Sequence, residues 1–174
     1  MAQGRVLSSV DGTINGSRAR AAGKGGPVAE RTTEHMVVEA SPARCFEVVA
    51  DIERYPEWVG DLKEVHVLES DDEGRPIVVS FRAAAFGRST NYTLVYDYSK
   101  APVQFGWVQR SGDLTERLDG FYLFADAPGG GTEITYQLAV ELRVPLPGFI
   151  KRRAEGNILH AAIRDLKARV ESEV

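Results

Sequence analysis

Between Leu62 and Leu142 the chain passes through six successive segments in which polar and apolar residues alternate, and the connectors between them are too short to hold a helix. Neighbours joined in this way must pair antiparallel, because a parallel crossover needs a dozen residues or more. The alternation marks residues 62–69, 75–86, 88–98, 103–110, 114–125 and 132–142. Asp71-Asp72-Glu73-Gly74, Ser99-Lys100-Ala101-Pro102, Ser111-Gly112-Asp113 and Pro128-Gly129-Gly130-Gly131 supply the turn chemistry. A meander follows. Val144-Pro145-Leu146-Pro147-Gly148 then stops the last strand, and residues 149–172 read as one helix about 36 Å long at 1.5 Å per residue.

Upstream of the meander, residues 34–40 read as a further strand, and Ser41-Pro42 provides an N-cap followed by proline at the first helical position. The short helix after it places Cys45, Val48, Val49 and Ile52 on one face, so Cys45 is read as core. Tyr55-Pro56-Glu57-Trp58 breaks that helix, since proline disfavours a helical residue before it and lacks a backbone donor.

The period of two decides what each strand presents inward. Tyr92, Leu94, Tyr96 and Tyr98 share a face, as do Phe105 and Trp107, then Leu118, Tyr122 and Phe124, then Ile134, Tyr136, Leu138 and Val140. On the long helix Leu159, Ala162, Ile163, Leu166 and Val170 form one stripe that must meet this face, with Arg153, His160, Arg164 and Lys167 opposite. Towards the helix N-terminus the stripe continues as Gly156, Glu155 and Arg152, which suggests a gap between helix and sheet and a cavity mouth. Aromatic rows of this kind build cores as well as binding sites. Here tyrosine outnumbers phenylalanine in the rows, and buried hydroxyls need partners that a ligand can supply. The expected ligand-binding residues are Trp58, Phe81, Tyr92, Leu94, Tyr96, Phe105, Trp107, Leu118, Tyr122, Tyr136, Leu138, Leu159 and Ile163, with Arg152 at the mouth.

Charge and chemistry narrow the function classes. Residues 1–32 carry Arg5, Arg18, Arg20, Lys24 and Arg31 against Asp11 and Glu30, a balance of +3, so the total of -4 leaves -7 on residues 33–174. Such a domain repels a phosphate backbone, and no nucleic-acid partner is expected. The glycine-rich first 32 residues have no hydrophobic periodicity and are expected to be a disordered tail, with one ligand-binding domain over 33–174. Neither a secretory signal nor an apolar run long enough to span a bilayer is present, and the cytoplasm is expected. Cys45 with His35, His66 and His160 offers no zinc-type spacing, so neither a metal nor another cofactor is expected.

The segment from Phe46 through Asp51-Ile52-Glu53-Arg54-Tyr55-Pro56-Glu57-Trp58, the strand Gly120-Phe121-Tyr122-Leu123, Gly131-Thr132-Glu133-Ile134-Thr135-Tyr136, and Pro147 to Arg153 followed by Leu166-Lys167 together resemble the START-like (SRPBCC) superfamily, in its bacterial polyketide cyclase/dehydrase and lipid-transport branch. The resemblance implies an α+β helix-grip (START/Bet v 1-like) fold: a curved antiparallel sheet of about seven strands around a long C-terminal helix. It implies a cavity for a hydrophobic molecule but does not choose a chemistry.

Three functions therefore stand side by side. The first is binding or transfer of a lipid, quinone or polyketide-like molecule, with Arg82 or Arg117 orienting a polar end. Residues 144–153, where Leu146, Phe149 and Ile150 adjoin Lys151, Arg152 and Arg153, offer a portal for transient membrane contact. The second is an aromatase/cyclase acting on a polyketide, with an arginine polarising a carbonyl and a tyrosine or carboxylate moving protons. The residues provide no nucleophile-base pair, and no catalytic residue is assigned. The third is a macromolecular interaction module. A monomer or homodimer is expected.

Overall fold

The computed structural model describes residues 31–172 apart from Phe86 and Val144. Its elements, in chain order, are β1 (Arg31–Val38), α1 (Pro42–Ala50), a 3-10 helix (Ile52–Glu57), β2 (Leu62–Ser70), β3 (Pro76–Ala85), β4 (Arg88–Asp97), β5 (Gln104–Gly112), β6 (Thr115–Asp126), β7 (Thr132–Leu142) and α2 (Gly148–Ser172). β1 begins at Arg31, two residues inside the stretch expected to be tail. Residues 1–30 of that stretch lie outside the described residues.

The seven strands form one antiparallel sheet in the order β1-β7-β6-β5-β4-β3-β2. β2 to β7 are the expected meander. β1 closes on the far side by pairing with β7 from Arg31↔Ala139 to Val38↔Thr132, so α1 and the 3-10 helix carry the chain from one edge of the sheet to the other. The fold is the α+β arrangement expected from the sequence, a curved antiparallel sheet gripping a long helix.

Local chemistry sets the helix boundaries. Ser41 Oγ accepts from the Arg44 N–H at 3.2 Å and Pro42 occupies the first turn, which satisfies one orphan donor and pre-sets the backbone. α1 buries Cys45, Val48 and Val49 and lies over β5 and β6. Phe46 meets Phe105 and Phe124 edge-on, at centroid distances of 6.0 and 6.4 Å. Burial pushes the Cys45 thiol up, so it stays protonated in the core.

α2 divides along its length. Leu159, Leu166 and Val170 are buried and hold the helix against β1, β7 and α1. Nearer the N-terminus the side chains facing the sheet become Ala154, Asn157 and Ile158. The core fills the end under α1 and the second half of α2, while the other end is left open.

Candidate ligand-binding site

That open end is a cavity of about 600 Å³, within the range that takes a drug-sized molecule. Its floor is the inward face of the sheet, with Phe81 and Ala83 from β3, Thr90, Tyr92, Leu94 and Tyr96 from β4, Trp107 from β5, Leu118 and Tyr122 from β6, and Tyr136, Leu138 and Leu142 from β7. Tyr55, Trp58 and Val59 wall one side. Ala84, Ala85 and Gly87 of the β3–β4 hairpin, Leu114 and Thr115 before and on β6, and Asp61 border the opening. α2 roofs it with Ala154, Asn157, Ile158, Ala161, Ala162 and Asp165.

The rings form a connected wall. Phe81 stacks on Tyr92 at 5.2 Å, Trp107 lies 5.4 Å from Tyr122 and 5.9 Å from Tyr136, and Tyr122 stacks on Tyr136 at 4.6 Å. Gly120 makes room for the indole: a methyl group there would sit 2.5 Å from the Gln137 carbonyl oxygen and 2.7 Å from Trp107 Cζ2. A glycine in a central strand costs packing, and here it lets Trp107 lie flat across β6.

Phenols are the commonest polar groups in the wall. Tyr55 donates to the Val49 carbonyl at 2.5 Å. The hydroxyls of Tyr92 and Tyr96 have no hydrogen-bond partner among the described residues and remain accessible from the cavity. Burial pushes Tyr55, Tyr92, Tyr96, Tyr122 and Tyr136 up from the usual phenol value, and the proximity of the rings adds to the rise for Tyr55, Tyr96 and Tyr136. At neutral pH the cavity therefore offers neutral O–H donors. Thr115 Oγ1 is already committed, donating to Gln109 Oε1 at 2.6 Å. Two carboxylates also line the cavity. Asp165 Oδ2 accepts from the Gly60 N–H at 3.4 Å and ties α2 to the loop before β2, while Asp61 borders the opening. No lysine or arginine is among the described residues that line it.

The structure brings together Trp58, Phe81, Tyr92, Leu94, Tyr96, Trp107, Leu118, Tyr122, Tyr136 and Leu138 around this space. Four residues of the expected set stand elsewhere. Phe105 has the right strand face but is fully buried between Tyr96, Tyr98 and Phe46, because α1 covers that end of the sheet. Leu159 is sealed in the core and Ile163 packs beside it. Arg152 is exposed and is not part of the wall. Neither arginine offered for a polar end reaches the cavity: Arg82 pairs with Glu64, and Arg117, which the strand period already sets off the aromatic face, pairs with Asp119 on the outer face. Tyr98 continues the aromatic row past the cavity; its hydroxyl is buried without a partner among the described residues, its ring carries Arg75 at 4.9 Å, and burial pushes it up to about 12.

The helix side of the wall escaped the sequence reading. Ala154, Asn157, Ile158, Ala161 and Asp165 recur at helical spacing as a second stripe, rotated by about 140° from the aliphatic one. Its signal is Ala154 and Ala161, two turns apart on that face, since a helix standing off a cavity needs less bulk there. The three histidines lie outside: His35 meets Thr135, His66 meets Glu64 and His160 meets Glu34, all at the surface. Among the described residues no group of His, Cys, Asp or Glu could hold a metal ion, and no helix is long and apolar enough to cross a membrane.

Comparison with known proteins agrees with this architecture. A START superfamily protein from Mycobacterium smegmatis superposes with a TM-score of 0.76 at 24% identity, over 83% of this chain and 99% of that one. The Zhui aromatase/cyclase from Streptomyces sp. R1128 gives 0.70 at 14% identity, over 82% and 93%. A STAR-related lipid transfer protein fragment from Xanthomonas axonopodis gives 0.61 at 15%, over 80% and 85%. At these identities the likeness is one of fold. No curated protein sequence matches the chain. Residues 38–167, most of the described domain, match the family model for polyketide cyclase/dehydrase and lipid transport, and the chain belongs to that family.

Proposed function

We propose that the protein binds a neutral, ring-bearing hydrophobic molecule in the cavity beneath α2 and holds or carries it. The observation that carries this reading is the composition of the wall: an almost continuous aromatic surface, phenol hydroxyls free to donate, and no cation within it. Rings give affinity through buried apolar area and stacking. Phenols that stay protonated suit a carbonyl, ether or hydroxyl oxygen on the ligand. An acid head group would find no counter-charge inside and would lose its hydration on the way in.

A cyclase reading has the support of a fold shared with an aromatase/cyclase and of neutral phenols able to donate protons. Its base would have to be Asp61 or Asp165, and Asp165 already accepts from Gly60 and Arg164; the rest of the described wall offers phenols, hydroxyls, the Asn157 amide, two indoles and hydrocarbon. Binding without turnover is therefore the simpler fit to the residues present.

Native mass spectrometry of gently purified protein, followed by organic extraction, tests the proposal. A discrete neutral molecule that co-purifies, and is lost on Trp107→Ala or Tyr96→Ala while the variant stays folded, is the expected result. A protein that emerges empty and gains no thermal stability from quinones, polyketide-like aromatics or neutral lipids would exclude this reading.

A further inference from the structure

One end of the cavity mouth carries features that neither the core nor the cavity uses. Phe149 is 69% exposed and Ile150 40%, both in the first turn of α2, and Ile158 further along is exposed while also lining the cavity. Lys151, Arg152 and Arg153 follow directly in sequence. Elsewhere the exposed arginines mostly have carboxylate partners, as in Arg54–Glu57, Arg75–Asp71, Arg82–Glu64 and Arg110–Glu69. None of the three cations at the start of α2 has an ion-pair partner among the described residues. Arg88, at the tip of the β3–β4 hairpin that borders the same mouth, is exposed and likewise unpaired.

Helix stability does not account for this placement. The N-terminal end of a helix favours anions, and cations there oppose the macrodipole. α2 has no acidic residue in its first turn to offset them. Large apolar side chains facing water beside unpaired cations, on a domain with an excess of negative charge, make a polarised surface.

We propose that this end of the mouth docks on an anionic lipid bilayer, with Phe149 and Ile150 entering the acyl boundary and Lys151, Arg152 and Arg153 among the headgroup phosphates. The charge sign selects the occupant. A second copy meeting through the same patch would set these cations against their own equivalents, whereas an anionic bilayer offers both the negative surface and the apolar layer beneath it. Docking here places Ile158 and the cavity mouth at the lipid boundary, and it stands whatever the cavity holds.

The test is vesicle flotation of the full chain with phosphatidylcholine alone or mixed with phosphatidylglycerol. The expected result is co-flotation with the mixed vesicles only, weakening as salt rises. Each basic residue near an anionic surface is worth about fivefold in partitioning, so K151E/R152E/R153E should reduce binding by about a hundredfold or more. F149S/I150S should weaken it at every salt concentration. Because glutamates suit a helix N-terminus, the charge-reversed variant should melt no lower than the parent, which separates lost docking from lost fold. R18E/R20E/K24E controls for the basic N-terminal stretch and should keep most of the binding. Equal flotation with both vesicle types, no flotation with either, or loss in the N-terminal variant with none in the α2 variant would each overturn the proposal.

Discussion

The buried phenols make alkaline pH the condition to which single residues in this protein are most sensitive. Tyr55, Tyr92, Tyr96, Tyr122 and Tyr136 are all pushed above the unfolded phenol value near 10, chiefly by burial. Above pH 10 the unfolded chain releases these protons while the folded chain keeps them. The contribution is fully present below pH 10 and falls as pH rises beyond it. Phenolate absorbance is therefore expected to appear together with loss of near-ultraviolet circular dichroism, in one steep transition; gradual ionisation of these rings within an intact fold would contradict the assignment. Gly120 offers a second test. With a Cβ 2.5 Å from the Gln137 carbonyl oxygen, Gly120→Ala should cost about 1–3 kcal/mol, as overpacking does. Displacement of the Trp107 ring should shift its fluorescence, and an unchanged spectrum at unchanged stability would show that the indole does not depend on this glycine.

Among the elements, α2 separates two roles that sequence periodicity merges. Leu166 is fully buried on the core side, so Leu166→Ala should cost about 2–5 kcal/mol in chemical denaturation. Ala161 faces the cavity, and Ala161→Phe should leave stability within about 1 kcal/mol while abolishing retention of the bound molecule. If the two variants behave alike, α2 does not roof the cavity as described. The strands were legible in the sequence because alternation and turn residues are local signals: β7 spans the expected residues and the other meander strands differ by one or two positions at their ends. Strand facing was legible too, which is why Tyr92, Trp107 and Tyr136 meet at one site. What was hidden depends on contacts between elements. Phe105 follows the alternation, but only the position of α1, with Phe46 edge-on to it, turns that part of the face into core. Leu159 and Ile163 follow the helical period, yet the period alone does not say that the helix lifts off the sheet and presents Asn157 and Ile158 to the space beneath.

At the scale of the molecule, the cavity is apolar surface that folding leaves unburied, and filling it should be visible in overall stability. A ligand at a hundred times its dissociation constant adds about 2.7 kcal/mol, which for a chain of this size corresponds to a rise of about 5–10 °C in melting temperature. Differential scanning calorimetry with the extracted molecule added back should show that rise, and it should vanish in Ala161→Phe. β1 brings in a matter of timing. Its partner is β7, with pairs from Val38↔Thr132 to Arg31↔Ala139, and α2 is made later still. During synthesis β1 must wait for about a hundred residues to emerge, on the order of 5–20 s at ribosomal rates, while the inward aromatic rows stay uncovered. Nascent chains stalled before Thr132 should be cleaved readily by protease, and resistance should appear only once α2 has cleared the exit tunnel. An apolar molecule present in that interval meets an open trough of rings before there is a roof to pass.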